Sequence, residues 1–152
     1  MLKEDDKAPD FSLQDESGQK VTLKSLRGKK VVLYFYPKDD TPGCTREACD
    51  FRDHFADFGD ANTVIYGVSK DSLDSHRQFK DKYSLPFPLL SDPDLEVAKA
   101  YGAWGEKNNY GKITMGLIRS TFVIDEQGKI EKAFRNVKVE GHADALLGHL
   151  SE

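Results

Sequence analysis

The sequence has little of what marks a membrane, secreted or nucleic-acid-binding protein. Among 152 residues there are only two cysteines, two methionines and one tryptophan. Two cysteines cannot build the multi-bridge framework of a small secreted domain, and a chain this long buries about 68–70% of its unfolded surface without one. Long hydrophobic runs are missing: the apolar stretch Val31 to Tyr36 falls far short of the roughly 20 residues that span a bilayer. Positive charge is not in excess, since 22 Lys and Arg against 26 Asp and Glu leave a formal charge of −4. The chain therefore lacks the electrostatic footprint for nucleic acid or an anionic membrane surface, and neither partner is expected. The opening Met1-Leu2-Lys3-Glu4-Asp5-Asp6 places acids where a signal peptide needs an apolar core. The expected location is the cytoplasm, or an organelle if a transit peptide has been removed. Repeats and internal linkers are missing as well, which predicts one domain over residues 1–152.

What is present reads as alternating strands and helices. Asp10 to Leu13 and Lys20 to Leu23 alternate polar with apolar around Glu16-Ser17-Gly18, the pattern of a short hairpin on the edge of a larger sheet. Val31 to Tyr36, closed by Pro37, predicts a central strand buried on both faces. After the turn-rich Lys38 to Gly43, the residues Cys44, Ala48, Phe51, Phe55 and Phe58 recur at helical spacing, and Gly59 ends that helix. Thr63 to Ser69 predicts a second buried strand, parallel to the first, and Ser72 to Tyr83 a second helix. Phe87 to Leu90 reads as a short strand, Leu95 to Tyr101 as a short helix and Trp104 to Met115 as a long polar loop. Ser120 to Asp125 and Lys129 to Phe134 flank Glu126-Gln127-Gly128 as a hairpin, and His142 to Leu150 closes the chain with a helix. The order predicts an α/β protein of thioredoxin-like fold: a mixed central β-sheet with helices on both faces and an N-terminal β-hairpin.

The two cysteines carry the chemistry. Cys44 opens a helix, so its sulfur lies near unpaired backbone N–H groups and the positive end of the macrodipole, which favour a nucleophilic thiolate. An inert buried cysteine is the alternative. Its place after a loop at the carboxyl edge of a strand argues for chemistry. Cys49 lies five residues on, about 140° around the helix and more than about 8 Å away between Cα atoms. That exceeds the roughly 7 Å limit for a disulfide, so the pair can bond only if the first turns unwind. On position alone, Cys49 reads equally as core filler and as a resolving partner; its nearness to a reactive thiol favours the second.

Other chemistries find less support. Cys44, Cys49 and His54 form a C-x4-C-x4-H series, but successive 140° steps spread these groups around a helix, and no metal is expected. His76, His142 and His149 lack ligand spacing and read as solvated or capping residues, and Lys38-Asp39-Asp40 as a solvated turn. No cofactor is expected, because glycine-rich phosphate loops and the G-x-S-x-G elbow are absent. A cysteine protease would need a marked base beside its nucleophile. A thiol–disulfide oxidoreductase normally shows C-x-x-C, and a copper-handling protein a shorter cysteine spacing with a partner His. A holdase with inert cysteines would lose no thiols to peroxide.

Pro37-Lys38-Asp39-Asp40-Thr41-Pro42-Gly43-Cys44-Thr45-Arg46-Glu47-Ala48-Cys49 resembles the peroxiredoxin signature P-x-x-x-T-x-x-C. Its TPGCT-x-E-A-C version is typical of the peroxiredoxin Q or bacterioferritin comigratory protein branch. The similarity extends to Ala8 to Leu13, Leu89 to Asp92, Trp104 to Lys107 and Arg119 to Asp125, almost the whole chain. The resemblance implies a thiol peroxidase in which Cys44 is the peroxidatic cysteine, Thr41 orients the peroxide, Pro37 shields the site and Arg119 supports the thiolate. A guanidinium presents fixed donors and keeps its proton, which suits that last role. A Cys44 sulfenic acid would then condense with Cys49 to an intramolecular disulfide, which thioredoxin or a similar dithiol would reduce. The resemblance also allows Glu47 to orient Arg119 and Trp104 to line a substrate entrance, although macrodipole and packing account for both residues. A monomer or weak dimer is expected.

Overall fold

The structure is a computed structural model that describes residues 2–151. Its centre is β3 (Lys30–Phe35), where Val31 to Phe35 are all buried. A strand apolar on both faces needs a partner at each edge and a layer on each side. β4 (Thr63–Ser69) pairs with it in parallel, and β8 (Ser120–Ile124) antiparallel on the other edge. With β1 (Ser12–Asp15), β2 (Lys20–Thr22), β5 (Leu89–Ser91) and β9 (Ile130–Arg135) they form a mixed seven-stranded sheet in the order β2-β1-β5-β4-β3-β8-β9. The N-terminal hairpin β1/β2 extends one edge through β5, as expected.

The period-two alternation of β3 sorts the core into two layers. Val31, Leu33 and Phe35 join Phe122, Tyr101 and the buried face of α4 (Glu96–Ala100). Val32, Tyr34 and Tyr36 join Cys44 and Phe51 from α1 (Pro42–Asp53), Phe58 from α2 (Phe55–Asp60), Phe79 from α3 (Leu73–Tyr83) and Leu146 from α5 (His142–Leu150). Helices thus cover both faces. Gly67 of β4 is required by close packing: a Cβ there would lie 2.9 Å from the Tyr34 ring and from Leu89.

Two elements differ from expectation. The helix predicted to run to Gly59 breaks at His54 (φ −109°, ψ 12°), and the turn puts Phe55 on the surface at 38% exposure. The segment expected as a polar loop is a separate hairpin, β6 (Trp104–Asn109) and β7 (Lys112–Leu117). Tyr110 and Gly111 both take positive φ at its two-residue turn, the backbone that a tight hairpin favours. Exposed Ile113 and Met115 on β7 and polar neighbours on β6 hide the alternation.

Candidate active site

The ladder of β3 stops where Pro37 removes a backbone donor, and the loop from Pro37 to Thr41 turns the chain into α1. Thr41 is the extended N-cap and Pro42 the first helical residue. The Thr45 N–H bonds the Thr41 carbonyl at 2.8 Å, which makes Cys44 the third residue of the helix, buried at its positive end. α-Helix geometry leaves the first N–H groups around the sulfur with no intrahelical acceptor. Both cysteines are free thiols.

Arg119 reaches Cys44 from the other side of the sheet edge. Because β8 runs antiparallel to β3 with Ser120 opposite Phe35, the residue preceding β8 lies beside the Pro37 loop. Arg119 Nη2 donates to Cys44 Sγ at 3.2 Å and Nη1 to Glu47 Oε1 at 2.6 Å. A guanidinium forked between a sulfur and a carboxylate is fixed in orientation. Gly43 makes room for it, since a Cβ at that position would lie 3.2 Å from Nη2.

Glu47 is buried one turn after Cys44, and its Oε2 has no partner among the described residues. Burial pushes its carboxyl up to about 7, against the opposing pull of Arg119. The buried Tyr34 hydroxyl is likewise without a partner among the described residues. Burial raises its pKa well above the usual phenol value, with the Glu47 charge adding to the shift. His142, expected as a solvated or capping histidine, is instead buried against Phe51 and Phe134, with Nε2 2.8 Å from Thr121 Oγ1. Burial, then the Arg119 charge, pushes it down to about 4, so it stands neutral behind the site at pH 7.

Thr41 Oγ1 donates to the Lys38 carbonyl at 2.9 Å, which leaves its oxygen as an acceptor. Pro37 borders two recesses. One is a cleft of about 380 Å³ that also contacts Arg119, Ile118 and Glu106. The other, about 140 Å³, is walled by Leu95, Trp104, Met115 and Leu117. Cys49 is half-buried on α1, and burial pushes its thiol up.

Asp39, expected in a solvated turn, and His76, expected as a solvated or capping histidine, are both buried. Asp39 Oδ1 accepts from the Tyr36 hydroxyl at 2.6 Å, and Oδ2 accepts from Ser75 Oγ at 2.8 Å and faces His76 Nδ1 at 2.7 Å. His76 Nε2 donates to the Leu90 carbonyl at 3.0 Å. Nothing in the local sequence joins residues 37 positions apart on different elements. Ligand-type atoms of Asp39, Asp71 and His76 lie within 4.8 Å of one another, but they are committed to each other, to hydroxyls and to backbone groups. Cys44, Cys49 and His54 form no such cluster among the described residues.

The chain is matched over residues 5–133 by the model of the AhpC/TSA family. It is 51% identical over 144 residues to a putative peroxiredoxin bcp of Coxiella burnetii, covering 95% of each chain. It is 52% identical over 146 residues to peroxiredoxin Bcp of Bacillus subtilis, covering 96% of this chain and 93% of the relative. The fold superposes with a TM-score of 0.88 on the bacterioferritin comigratory protein of Xanthomonas campestris, 44% identical, covering 93% of this chain and 90% of that one. Over nearly its whole length, then, the chain belongs to the AhpC/TSA family and is a peroxiredoxin of the Bcp and PrxQ kind.

Proposed function

We propose that this peroxiredoxin reduces hydrogen peroxide and organic hydroperoxides with Cys44 as the attacking thiolate and Cys49 as the resolving thiol. The observation that carries this reading is the 3.2 Å contact between Arg119 and Cys44 at the start of α1. The Cys44 thiolate attacks the terminal peroxide oxygen, the S–O bond forms as the O–O bond breaks, the other oxygen leaves as water or alcohol with the peroxide's proton, and the Cys44 sulfenate takes a proton from solvent to become the sulfenic acid. Arg119 supplies fixed positive charge to the sulfur and to the oxygens that gain charge. Thr41, its own hydrogen committed to Lys38, accepts from the peroxide O–H. Pro37 covers the approach, and the apolar recess between it and Trp104 suits an alkyl tail. The Xanthomonas relative is described by its alkyl peroxide reduction activity, which supports the organic substrates.

The sulfenic acid on Cys44 then condenses with the Cys49 thiol, releasing water and forming a disulfide. The opening of α1 that brings the sulfurs together also takes Cys49 out of the burial that keeps it a thiol. A thioredoxin-like dithiol reduces the disulfide, itself becoming oxidised. Among the described residues no helix is long and apolar enough to cross a membrane. We place the enzyme in the cytoplasm as a monomer or weak dimer.

One equivalent of hydrogen peroxide, followed by peptide mass mapping, tests the assignment. The parent should give a Cys44–Cys49 bond, Cys44→Ser should consume no peroxide, and Cys49→Ser should hold a sulfenic acid that small thiols turn over. Peroxidase activity in Cys44→Ser, or a parent with no internal disulfide, would overturn it.

A further inference from the structure

The peptide between Lys38 and Asp39 is held at both ends. Its carbonyl accepts the Thr41 hydroxyl at 2.9 Å, and its N–H donates to Asp71 Oδ2 at 2.8 Å. Asp71 is itself fixed: the same oxygen accepts from Ser69 Oγ at 2.7 Å, its N–H donates to Ser69 Oγ at 3.1 Å, and its carbonyl accepts from Ser91 Oγ at 2.6 Å. On the side-chain side, Asp39 is gripped by Tyr36, Ser75 and His76, and His76 is tied through to the Leu90 carbonyl. The ends of β3 and β4, the strand β5 and the first turn of α3 therefore converge on one peptide plane in the loop that carries Pro37 and Thr41.

We propose that Asp71, and Asp39 backed by His76, are positioning residues of the peroxidase reaction, which lock the Lys38–Asp39 peptide and through it aim the Thr41 hydroxyl at the peroxide. A carboxylate drawing on the N–H of a peptide polarises the carbonyl at its other end, and a chain of hydrogen bonds strengthens each member. A stronger carbonyl acceptor holds the Thr41 hydrogen, which keeps the lone pairs of its oxygen turned to substrate. The clamp includes no bond to Cys44 or Arg119 among the described residues, so it governs the peroxide's orientation and leaves the thiolate's stabilisation alone. Asp71, Asp39 and His76 stand outside α1, so the clamp itself is not part of the helix whose N-cap is Thr41.

This rests on the reading of Thr41 as the peroxide-orienting hydroxyl, and the experiment separates the two. Stopped-flow oxidation of Cys44 by hydrogen peroxide is measured in the full chain for Asp71→Ala, Asp71→Asn, Thr41→Val and Thr41→Val/Asp71→Ala. Alkylation of the Cys44 peptide by iodoacetamide is followed in parallel. Asp71→Ala should slow oxidation about tenfold and leave alkylation unchanged, and Asp71→Asn, which keeps an acceptor, should stay within about twofold of the parent. In the Thr41→Val background the same alanine change should cost less than about twofold, because residues acting through one another are not additive. No loss in Asp71→Ala, or equal loss in both backgrounds, overturns the clamp while the Thr41 reading stands. Parent-like oxidation of Thr41→Val overturns both. If circular dichroism shows Asp71→Ala unfolded, Asp39→Ala, which removes the acceptor oxygens that Tyr36, Ser75 and His76 grip, carries the same comparison with the same outcomes.

Discussion

The two ends of α1 are built on different principles. At its start, Thr41 gives no side-chain cap, the first N–H groups lack helical acceptors, and one guanidinium bridges Cys44 and Glu47. At its far end, Phe51 is fully buried with its ring 4.8 Å from Tyr34, 5.8 Å from Phe58 and 6.5 Å from Phe87, and Arg52 Nη1 donates to the Tyr83 carbonyl at 2.8 Å. One end is held by a few directional bonds that a change in the sulfur's charge can weaken, the other by apolar burial that redox chemistry does not touch. The opening of the helix that the proposed disulfide requires would thus start at a loose end, at Cys44, and stop at an anchor just past Cys49.

The comparison breaks most severely at the anchor. Phe51→Ala should cost about 3–5 kcal/mol in denaturant unfolding, as removal of a fully buried ring does. Phe55→Ala, on the exposed side of the His54 break, should fall within about 0.5 kcal/mol of the parent. Similar losses for both would mean that the far end is not anchored by Phe51. At the loose end, Arg119→Ala should slow peroxide oxidation of Cys44 about a hundredfold, equivalent to about 2.7 kcal/mol, with the fold retained by circular dichroism.

Hydrogen exchange sharpens the boundary between the ends. On oxidation to the disulfide, protection from Thr45 to Asp50 should fall at least about tenfold, while Phe51 onward and β3 keep theirs. Unchanged protection there would mean the disulfide forms without helix opening. The smallest effect concerns Glu47. Its carboxyl is raised from 4.5 to about 7 in the folded chain, so the native state holds an extra proton in that interval and stability should fall as pH rises from about 4.5 to 7. Glu47→Gln should remove about one to two kcal/mol of that slope in urea titrations. His142 acts with opposite sign: its pKa is lowered from 6.5 to about 4, and the stability of its neutral form is lost as pH falls through that window. The Glu47→Gln profile should therefore bend downward more steeply on the acid side than the parent's.

Legibility in the sequence followed the range of the interaction. β3 was readable because its β-branched and aromatic run has one packing solution, and the start of α1 because Thr41-Pro42-Gly43 is a local stop and start. The break at His54 was not, since it involves neither Pro nor Gly and the aromatic spacing continues through it. The β6/β7 hairpin was hidden because its outward residues are apolar and its neighbours polar. Arg119 lies 75 residues from Cys44, and position alone made it a strand-end arginine; the family resemblance pointed to the contact that the antiparallel register of β3 and β8 creates. The buried Asp39 and His76 carried no such pointer. Charged residues in a turn and on a helix look solvated until tertiary structure brings four elements around them.

Gly43 is the one position in the signature where the absent group does the shaping. With a hypothetical Cβ 3.2 Å from Arg119 Nη2, any side chain there would act as a wedge between backbone and guanidinium. The guanidinium would have to give way there by a few tenths of an ångström, and the fork ties that shift to its bonds to Cys44 and Glu47. The empty volume at residue 43 therefore works as clearance: it is what lets a permanent positive charge stand 3.2 Å from the sulfur, without a single atom of its own in the contact.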